Sequence, residues 1–324
     1  MRRLMPLLAL AASGCAGVQS MTGGAGLGSR QFNTLMLAFL IVTGLAYLFV
    51  LLFLGGAFVR RRRENVGNFM RPLLIGWTAF ILVGIALLTL LSCLDDRQSA
   101  LAGTGQPPLK IEITANQWWW QVTYQDPMAS RTLITANELH LPVGRPVEIT
   151  LKASDVIHSF WVPGLAGKQD LIPGRTNHIR LLPRRIGLLR GQCAEFCGMQ
   201  HAHMALDVIV ESPARFAAWY AAQLRPASPP ATALAQAGQA WFLSHQCVTC
   251  HSIAGTTAGG RTGPDLTHVA SRRTIAAGTL PMNPGSLAGW IANPQGPKPG
   301  NHMPTIAMSG AELSAVVAYL GSLE

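Results

Sequence analysis

The stretch of sequence that decides the fold is Cys193-Ala194-Glu195-Phe196-Cys197-Gly198-Met199-Gln200-His201-Ala202-His203-Met204. Its two thiols, an imidazole and a thioether form a soft ligand set, which suits copper. A mononuclear copper electron-transfer site needs one cysteine, whereas two thiolates can bridge two copper ions. Each copper ion then needs its own imidazole. His201 supplies one, and we expect His158, at a predicted strand end, to supply the other.

Short strands with frequent turns are predicted over residues 107–212, on the N-terminal side of this stretch and through it. Residues 111–114 and 147–151 alternate between apolar and polar side chains, which is the pattern of half-buried strands. The turns are marked by Gly144, Pro146, Pro163, Gly164, Pro173 and Gly174. This pattern predicts an all-β domain, an antiparallel sandwich or barrel.

A second motif lies nearer the C-terminus, where Cys247-Val248-Thr249-Cys250-His251 follows a predicted helix. The spacing is that of covalent c-type haem attachment, in which both thiols bind the haem and the histidine binds its iron. A zinc half-site would need further Cys/His pairs, and none follow in the sequence. A redox-active dithiol would usually follow a strand. Haem attachment is therefore the favoured interpretation.

Composition and two apolar runs predict a membrane protein. Only 12% of the 324 residues are charged and the mean hydropathy is +0.28, which is too apolar for a purely soluble chain. Residues 35–59 and 73–91 are each long enough to cross about 30 Å of hydrocarbon as a helix, so we assign residues 23–98 to a transmembrane hairpin. The arginine run at residues 60–63 predicts a cytoplasmic loop between them. Everything after Asp95 should then lie outside the cytoplasm.

The N-terminus predicts export. Arg2 and Arg3 precede an apolar stretch at residues 4–12, and small residues lead up to Cys15. This is typical of a signal peptide. We assign residues 1–22 to the signal peptide and a short tail, and we interpret the signal as the lipoprotein type, with cleavage before Cys15. An ordinary signal peptide with an incidental cysteine is the alternative.

The net charge of +10 does not indicate nucleic-acid binding. Part of the charge belongs to the arginine run between the two apolar segments. No basic stripe recurs in the later half of the chain, as a nucleic-acid surface would require.

The stretch 193–204, with Ser154-Asp155-Val156-Ile157-His158-Ser159-Phe160 before it, resembles cytochrome c oxidase subunit II over residues 35 to 211. The resemblance implies a cupredoxin-like barrel after a two-helix hairpin, with a binuclear copper A centre. The implied ligands are His158, Cys193, Glu195 through its backbone carbonyl, Cys197, His201 and Met204. The Glu195 side chain would also help to hold a magnesium ion at the boundary with subunit I.

An aromatic stretch, Gln117-Trp118-Trp119-Trp120, resembles the aromatic box of the same family. Its first tryptophan is the electron-entry point over the copper site, so the resemblance gives Trp118 an electron-transfer role. A purely structural role as a core or interface anchor is the alternative. One departure concerns proton uptake, because Leu74 stands where the family has a glutamate three residues before Trp77-Thr78.

Residues 234–324 resemble the small class I cytochromes c, and an Ala/Pro/Ser-rich linker at residues 213–233 precedes them. Asn301-His302-Met303-Pro304 is similar to the loop that carries the methionine ligand in that family. The resemblance implies an all-α domain with haem c held by Cys247, Cys250, His251 and Met303. Met308 is the alternative sixth ligand.

These resemblances imply an electron-entry subunit in a bacterial cytoplasmic (inner) membrane, with both centres on the periplasmic side. Electrons would pass from a c-type cytochrome or an upstream respiratory complex to haem c, then to copper A and subunit I, where O2 is reduced to water. We expect no O2-reducing site in this chain, which would contact membrane lipid and other oxidase subunits but no nucleic acid. The electron-transfer subunit of a copper A-containing nitric oxide reductase is the alternative.

Overall fold

Two long helices begin the part of the chain that the computed structural model describes, which comprises residues 17–59, 66–101 and 105–324. Helices α1 (Leu27–Val59) and α2 (Val66–Leu101) contain apolar spans of 32 and 28 residues, enough to cross a bilayer. Side chains such as Leu52 and Leu74 are exposed on their surfaces, so these helices need lipid or a partner helix around them. The predicted leader with Cys15, and the arginine run at residues 60–63, lie outside the described residues.

The start of α1 is fixed to the domain that follows the hairpin. The backbone N–H of Gly26 donates to the carbonyl of Gly164 (2.9 Å), and the Ser29 hydroxyl donates to the same carbonyl (2.7 Å). Ser29 is 1% exposed. A side chain at Gly26 would overlap the backbone of Leu165, so the close approach requires glycine there.

Ten strands form the domain that was predicted to be all-β. They are β1 (Leu109–Asn116), β2 (Trp119–Tyr124), β3 (Leu133–Ala136), β4 (Glu138–Pro142), β5 (Val147–Ala153), β6 (His158–Trp161), β7 (Gln169–Leu171), β8 (Asn177–Leu181), β9 (Gly187–Cys193) and β10 (Ala205–Glu211). One sheet has the order β3-β2-β1-β5-β8 and the other β4-β10-β9-β6-β7. The expectation of an all-β domain is confirmed, but the sheets are mixed. The pairs β1/β5 and β4/β10 are parallel, because the chain makes a crossover between their members.

The core lies between the two sheets and follows from the alternation in the sequence. Along β1, Leu109, Ile111, Ile113 and Ala115 are buried, while the residues between them are not. Ile111 and Ile113 stand beside Ile149 and Leu151 of β5, and all four are fully buried. One face of the sheet thus becomes core, as a strand period of two residues requires.

Helix α3 (Pro213–Gln223) occupies the first half of the predicted linker and packs on the β-domain. The Ser212 hydroxyl accepts from the N–H of Arg215 and caps its start. The rings of Phe216 and Trp219 pack against that of Tyr124 at centroid distances of 6.2 and 5.3 Å. Residues 224–232 remain as the irregular connection to the next domain.

The C-terminal domain is mainly helical, as predicted. It contains α4 (Ala233–Ser244), α5 (Cys247–Cys250), α6 (Pro284–Ala292) and α7 (Gly310–Leu320), with a small hairpin of β11 (Thr274–Ile275) and β12 (Leu280–Pro281). Ser309 and Glu312 form a capping box at the start of α7. Helices α4 and α7 pack together so closely that a Cβ at Gly238 would overlap the backbone carbonyl of Ala315.

We predict that Gly238→Ala destabilises the helical domain. The added methyl group forces α4 and α7 apart, and overpacking of this kind costs about 1–3 kcal/mol of unfolding free energy. Gly289→Ala is the matched control, because Gly289 is an exposed residue of α6 with open space around it. It should raise stability by up to about 1 kcal/mol through helix propensity. Thermal unfolding followed by circular dichroism measures both, and equal effects would contradict the packing account.

Candidate metal centres

Two buried thiols lie at the end of β9 and in the loop that follows it. Cys193 is the last residue of β9 and Cys197 lies four residues on; they are 2% and 3% exposed. Their sulfur atoms are 3.7 Å apart. The distance places two soft donors side by side without a disulfide bond.

Each thiol faces one imidazole. The pairing of β6 with β9 sets Phe160 opposite Cys193, which brings His158, at the start of β6, to the same end of the sheet. The Nδ1 atom of His158 is 3.8 Å from Cys193 Sγ, and the Nδ1 atom of His201 is 3.6 Å from Cys197 Sγ. A ring nitrogen of His158 and the sulfur atoms of Cys193 and Cys197 all lie within 4.8 Å of one another, close enough to hold a metal ion.

The other two predicted ligands lie against the same pair of thiols. The Met204 sulfur is 3.9 Å from Cys197 Sγ, and the backbone carbonyl oxygen of Glu195 is 3.2 Å from Cys193 Sγ. The Glu195 side chain is exposed, on the outside of the loop. The structure therefore brings all six predicted copper-ligand residues together, while their role as ligands remains a prediction.

The electrostatics of the cluster favour a bound cation. The contact between the two thiols holds the pKa of Cys193 far below its ordinary value, at about 3, and raises the pKa of Cys197. One thiolate is therefore stabilised, but a second one beside it is opposed by charge repulsion and burial. Both thiols can be deprotonated together only if positive charge is placed between them, which metal ions supply.

Asp155 orients His158, and sequence reasoning assigned it no role. Its carboxylate accepts from Nε2–H of His158 at 2.8 Å and from the backbone N–H of Gln117 at 2.5 Å. Burial lowers the pKa of His158, but the contacts with Cys193 and Asp155 outweigh it and leave the pKa raised. With Nε2 bonded to the carboxylate, Nδ1 is left to face the thiol; metal-binding histidines commonly donate their other ring N–H to a carboxylate in this way. The sequence signal that could have revealed this role is the position of Asp155, an acidic residue three positions before the predicted ligand His158.

Trp118 covers the cluster. It is 6% exposed, and its indole N–H donates to the carbonyl of Cys197 at 2.9 Å. Its ring lies 6.2 Å, centroid to centroid, from the ring of His302 in the helical domain. Trp118 thus bridges the thiol cluster and the loop that carries Met303.

The predicted haem-attachment residues lie on a single helical turn, α5. Cys247 and Cys250 are free and half-buried. The Nδ1–H of His251 donates to the carbonyl of Pro264 at 2.7 Å, which fixes the tautomer and leaves Nε2 as the lone-pair donor. Burial lowers the pKa of His251, against the effect of the Pro264 bond, and so favours the neutral imidazole, which is the form able to bind a metal.

The structure does not by itself choose the sixth iron ligand. Met303 is half-buried, and its N–H is held by the side chain of Asn301 at 2.9 Å. Met308 is also half-buried and packs on the apolar core of the helical domain. Among the described residues, no contact joins either sulfur to His251, so Met303 remains a prediction.

The helical domain packs against the β-domain through contacts that no sequence motif indicated. Backbone N–H of Ala205 donates to the carbonyl of Ala277 (3.0 Å), and the Thr274 hydroxyl donates to Asp207 (3.1 Å). Arg272 approaches Glu138 at 3.8 Å, with both side chains almost fully buried. Burial raises the pKa of Glu138, but the His140 imidazole 3.8 Å away and the charge of Arg272 outweigh it and leave the pKa lowered.

Comparison with known proteins identifies two domain families. The family described as "Cytochrome C oxidase subunit II, periplasmic domain" matches residues 126–212, and "Cytochrome c" matches residues 235–324. These matches cover the two domains that hold the thiol cluster and the C-x-x-C-H motif.

Curated relatives carry one description, "Cytochrome c oxidase subunit 2". The protein from Alkalihalophilus pseudofirmus is 38% identical over 68% of this chain, and the match spans 63% of that relative's length. The Bacillus subtilis protein is 29% identical over 99% of this chain and 96% of its own length. The Branchiostoma floridae protein is 30% identical over 57% of this chain and 85% of its own.

We predict that Asp155→Asn weakens copper binding at the thiol cluster. An amide accepts the His158 proton less well than a carboxylate, and losing such an outer partner costs about 10–100-fold in metal affinity. Competition with a copper chelator measures the change. Asp170→Asn is the control, since Asp170 lies on β7 and its carboxylate takes no part in the cluster. An unchanged affinity in Asp155→Asn would contradict the assigned role.

Proposed function

The chain belongs to the cytochrome c oxidase subunit II family, and on that premise we propose that it is the electron-entry subunit of a cytochrome c oxidase. It receives electrons in the helical domain and delivers them through the β-domain to subunit I, where O2 is reduced to water. The observation that carries the proposal is the pair of thiols 3.7 Å apart, each faced by a histidine Nδ1. The donor is a c-type cytochrome or an upstream respiratory complex.

The thiol cluster fits a binuclear copper A centre in the chemistry of its donors. Cys193 and Cys197 would hold both copper ions, with His158, His201, Met204 and the Glu195 carbonyl around them. When bound, the copper pair supplies a one-electron carrier. The residues themselves keep the site dry, since both thiols, His158 and Met204 are all at most 3% exposed.

The helical domain fits a covalently attached haem c. Cys247 and Cys250 would attach it and His251 would bind its iron through Nε2, the nitrogen that Pro264 leaves free. A Cβ at Gly263 would come within 2.8 Å of the His251 ring, so glycine lets the backbone pass close beside the imidazole. The haem supplies a second one-electron carrier, for which Met ligation raises the potential.

Trp118 is proposed as the electron route between the two domains. It touches the Cys197 carbonyl on one side and the His302 ring on the other. A buried aromatic ring between two carriers excludes water from the path. These contacts support a path for the electron from the helical domain through Trp118 to the thiol cluster.

The two apolar helices support a place in a bacterial cytoplasmic membrane, with both domains on the periplasmic side. Other oxidase subunits and lipid would cover the helices, whose apolar surfaces are exposed. The exposed carboxylate of Glu195 is free to help hold a magnesium ion at the boundary with subunit I. Residues 1–22 are proposed as a lipoprotein signal, cleaved before Cys15, and a short tail that follows it.

We predict that Cys197→Ser abolishes the near-infrared copper A absorption of the purified complex while haem c stays reducible. A hydroxyl cannot replace a bridging thiolate for copper. Cys93→Ser is the matched control, because Cys93 is an exposed thiol on α2 far along the chain from either motif. Survival of the near-infrared band in Cys197→Ser would overturn the site assignment.

We also predict that Met303→Leu, and not Met308→Leu, lowers the reduction potential of haem c. Loss of a thioether ligand removes the stabilisation of ferrous iron. Met308→Leu keeps an apolar side chain in the core and should leave the potential nearly unchanged. Potentiometric titration of the haem spectrum separates the two residues, and a drop confined to Met308→Leu would reverse the assignment.

A further inference from the structure

Lys298 is a buried cation at the junction of the two extramembrane domains. It lies in the loop after α6 and is 3% exposed. Its ammonium group donates to three backbone carbonyls: Trp118 (2.8 Å), His203 (3.0 Å) and Ala276 (3.2 Å). Among the described residues it has no carboxylate partner. All three of its protons are thus satisfied by carbonyl oxygens of two different domains.

Two of these carbonyls belong to the surroundings of the thiol cluster. Trp118 covers Cys197, and His203 lies between His201 and Met204, two of the proposed copper ligands. One ammonium group therefore connects the backbone on both sides of the proposed copper site. Neither Trp118 nor His203 contributes its side chain, so the contact depends on where the backbone lies.

The third carbonyl belongs to a turn of the helical domain in an uncommon conformation. Ala276 and Ala277, between β11 and β12, have φ angles of 52° and 56°. Such angles are strained for a non-glycine residue and persist when surrounding contacts hold them. Here the Ala276 carbonyl accepts from Lys298 and from the Thr279 hydroxyl of the same turn, and the Ala277 carbonyl accepts from Ala205 of the β-domain.

The loop residues that follow Lys298 also contact the β-domain, and they lead to the proposed iron ligand. The Pro299 carbonyl accepts from the Gln200 amide at 2.8 Å, and the His302 ring lies over Trp118. Met303, the proposed iron ligand, is the next residue. Only four residues thus separate Lys298 from the proposed iron ligand.

We propose that Lys298 is a positioning residue, which locks the helical domain onto the β-domain so that the segment 298–303 lies against Trp118. This rests on the proposed function, since it deepens the account of electron transfer between the two domains. Burial lowers the pKa of Lys298 to about 8, so the buried ammonium is costly. Its three hydrogen bonds to carbonyls of both domains offset that cost, and they can form together only while the domains are docked. The contribution of Lys298 is therefore to the docking geometry.

The test compares Lys298→Met with wild type in the assembled, haem- and copper-loaded complex. The first readout needs no turnover: hydrogen exchange of the Ala205 amide, which donates across the domain interface. Bonds from a charged group are strong enough that their loss should speed this exchange about tenfold or more.

The second readout is electron transfer from photoreduced haem to copper, which should slow about tenfold. Haem and copper spectra, and haem reduction by a small artificial donor, should not change.

Two control variants separate docking from general effects. Lys110→Met removes a charge from an exposed position of β1 and should change neither readout. Thr274→Val removes a different bond across the interface, away from Trp118, and should have a smaller effect on electron transfer. Should Lys298→Met fail to load either centre, Lys298→Gln takes its place, since its amide keeps two donors.

The outcomes are distinct. If neither hydrogen exchange nor electron transfer changes in Lys298→Met, the proposal is overturned. It is also overturned if neither Lys298 variant binds haem and copper, because Lys298 would then be needed for folding of the loop around the thiol cluster. If wild type itself passes no electron from haem to copper, the proposed function fails, whereas the exchange measurement still decides whether Lys298 locks the domains.

Discussion

The close approach of the Cys193 and Cys197 thiols is the constraint on which the rest of the structure depends. Two buried sulfur atoms 3.7 Å apart cannot both carry a negative charge without positive charge between them. The sheet pairing that delivers His158, the short loop that delivers His201, and Asp155 behind His158 all serve to complete this arrangement. Trp118 covers the thiol cluster, and its indole N–H donates to the Cys197 carbonyl. A cluster of this kind is costly as an apo site and becomes favourable when metal ions bind.

The docking of the helical domain follows from the same site. The backbone around the cluster is already fixed by the ligand residues, so it offers carbonyl groups at defined positions. Lys298 bonds two of them, at Trp118 and His203, and in the same loop the ring of His302 lies 6.2 Å from that of Trp118. Fusion of the two domains keeps their effective concentration high, and specific contacts then set their orientation.

The sequence predicted the parts of the structure that local patterns specify. Alternation of apolar and polar residues predicted the strands, and the length of the two apolar runs predicted α1 and α2. The two cysteine motifs predicted which residues would form the candidate metal and haem sites. The parallel pairs β1/β5 and β4/β10 could not be predicted in this way, because strand partners are chosen by tertiary packing. Lys298 and Arg272 have no motif around them, and their roles appear only once both domains are in place. Met303 is preferred to Met308 on the resemblance of its Asn-His-Met-Pro loop, since both methionines are half-buried.

The most direct test of the account is electron paramagnetic resonance of the oxidised complex, together with copper analysis per chain. If Cys193 and Cys197 bridge two copper ions, one unpaired electron should be shared equally by two copper nuclei, and its hyperfine pattern should show both. Cys197→Ser should lose that pattern. A signal with the hyperfine splitting of a single copper nucleus in the wild-type complex would contradict the account, since it would mean that the two thiols do not hold a copper pair.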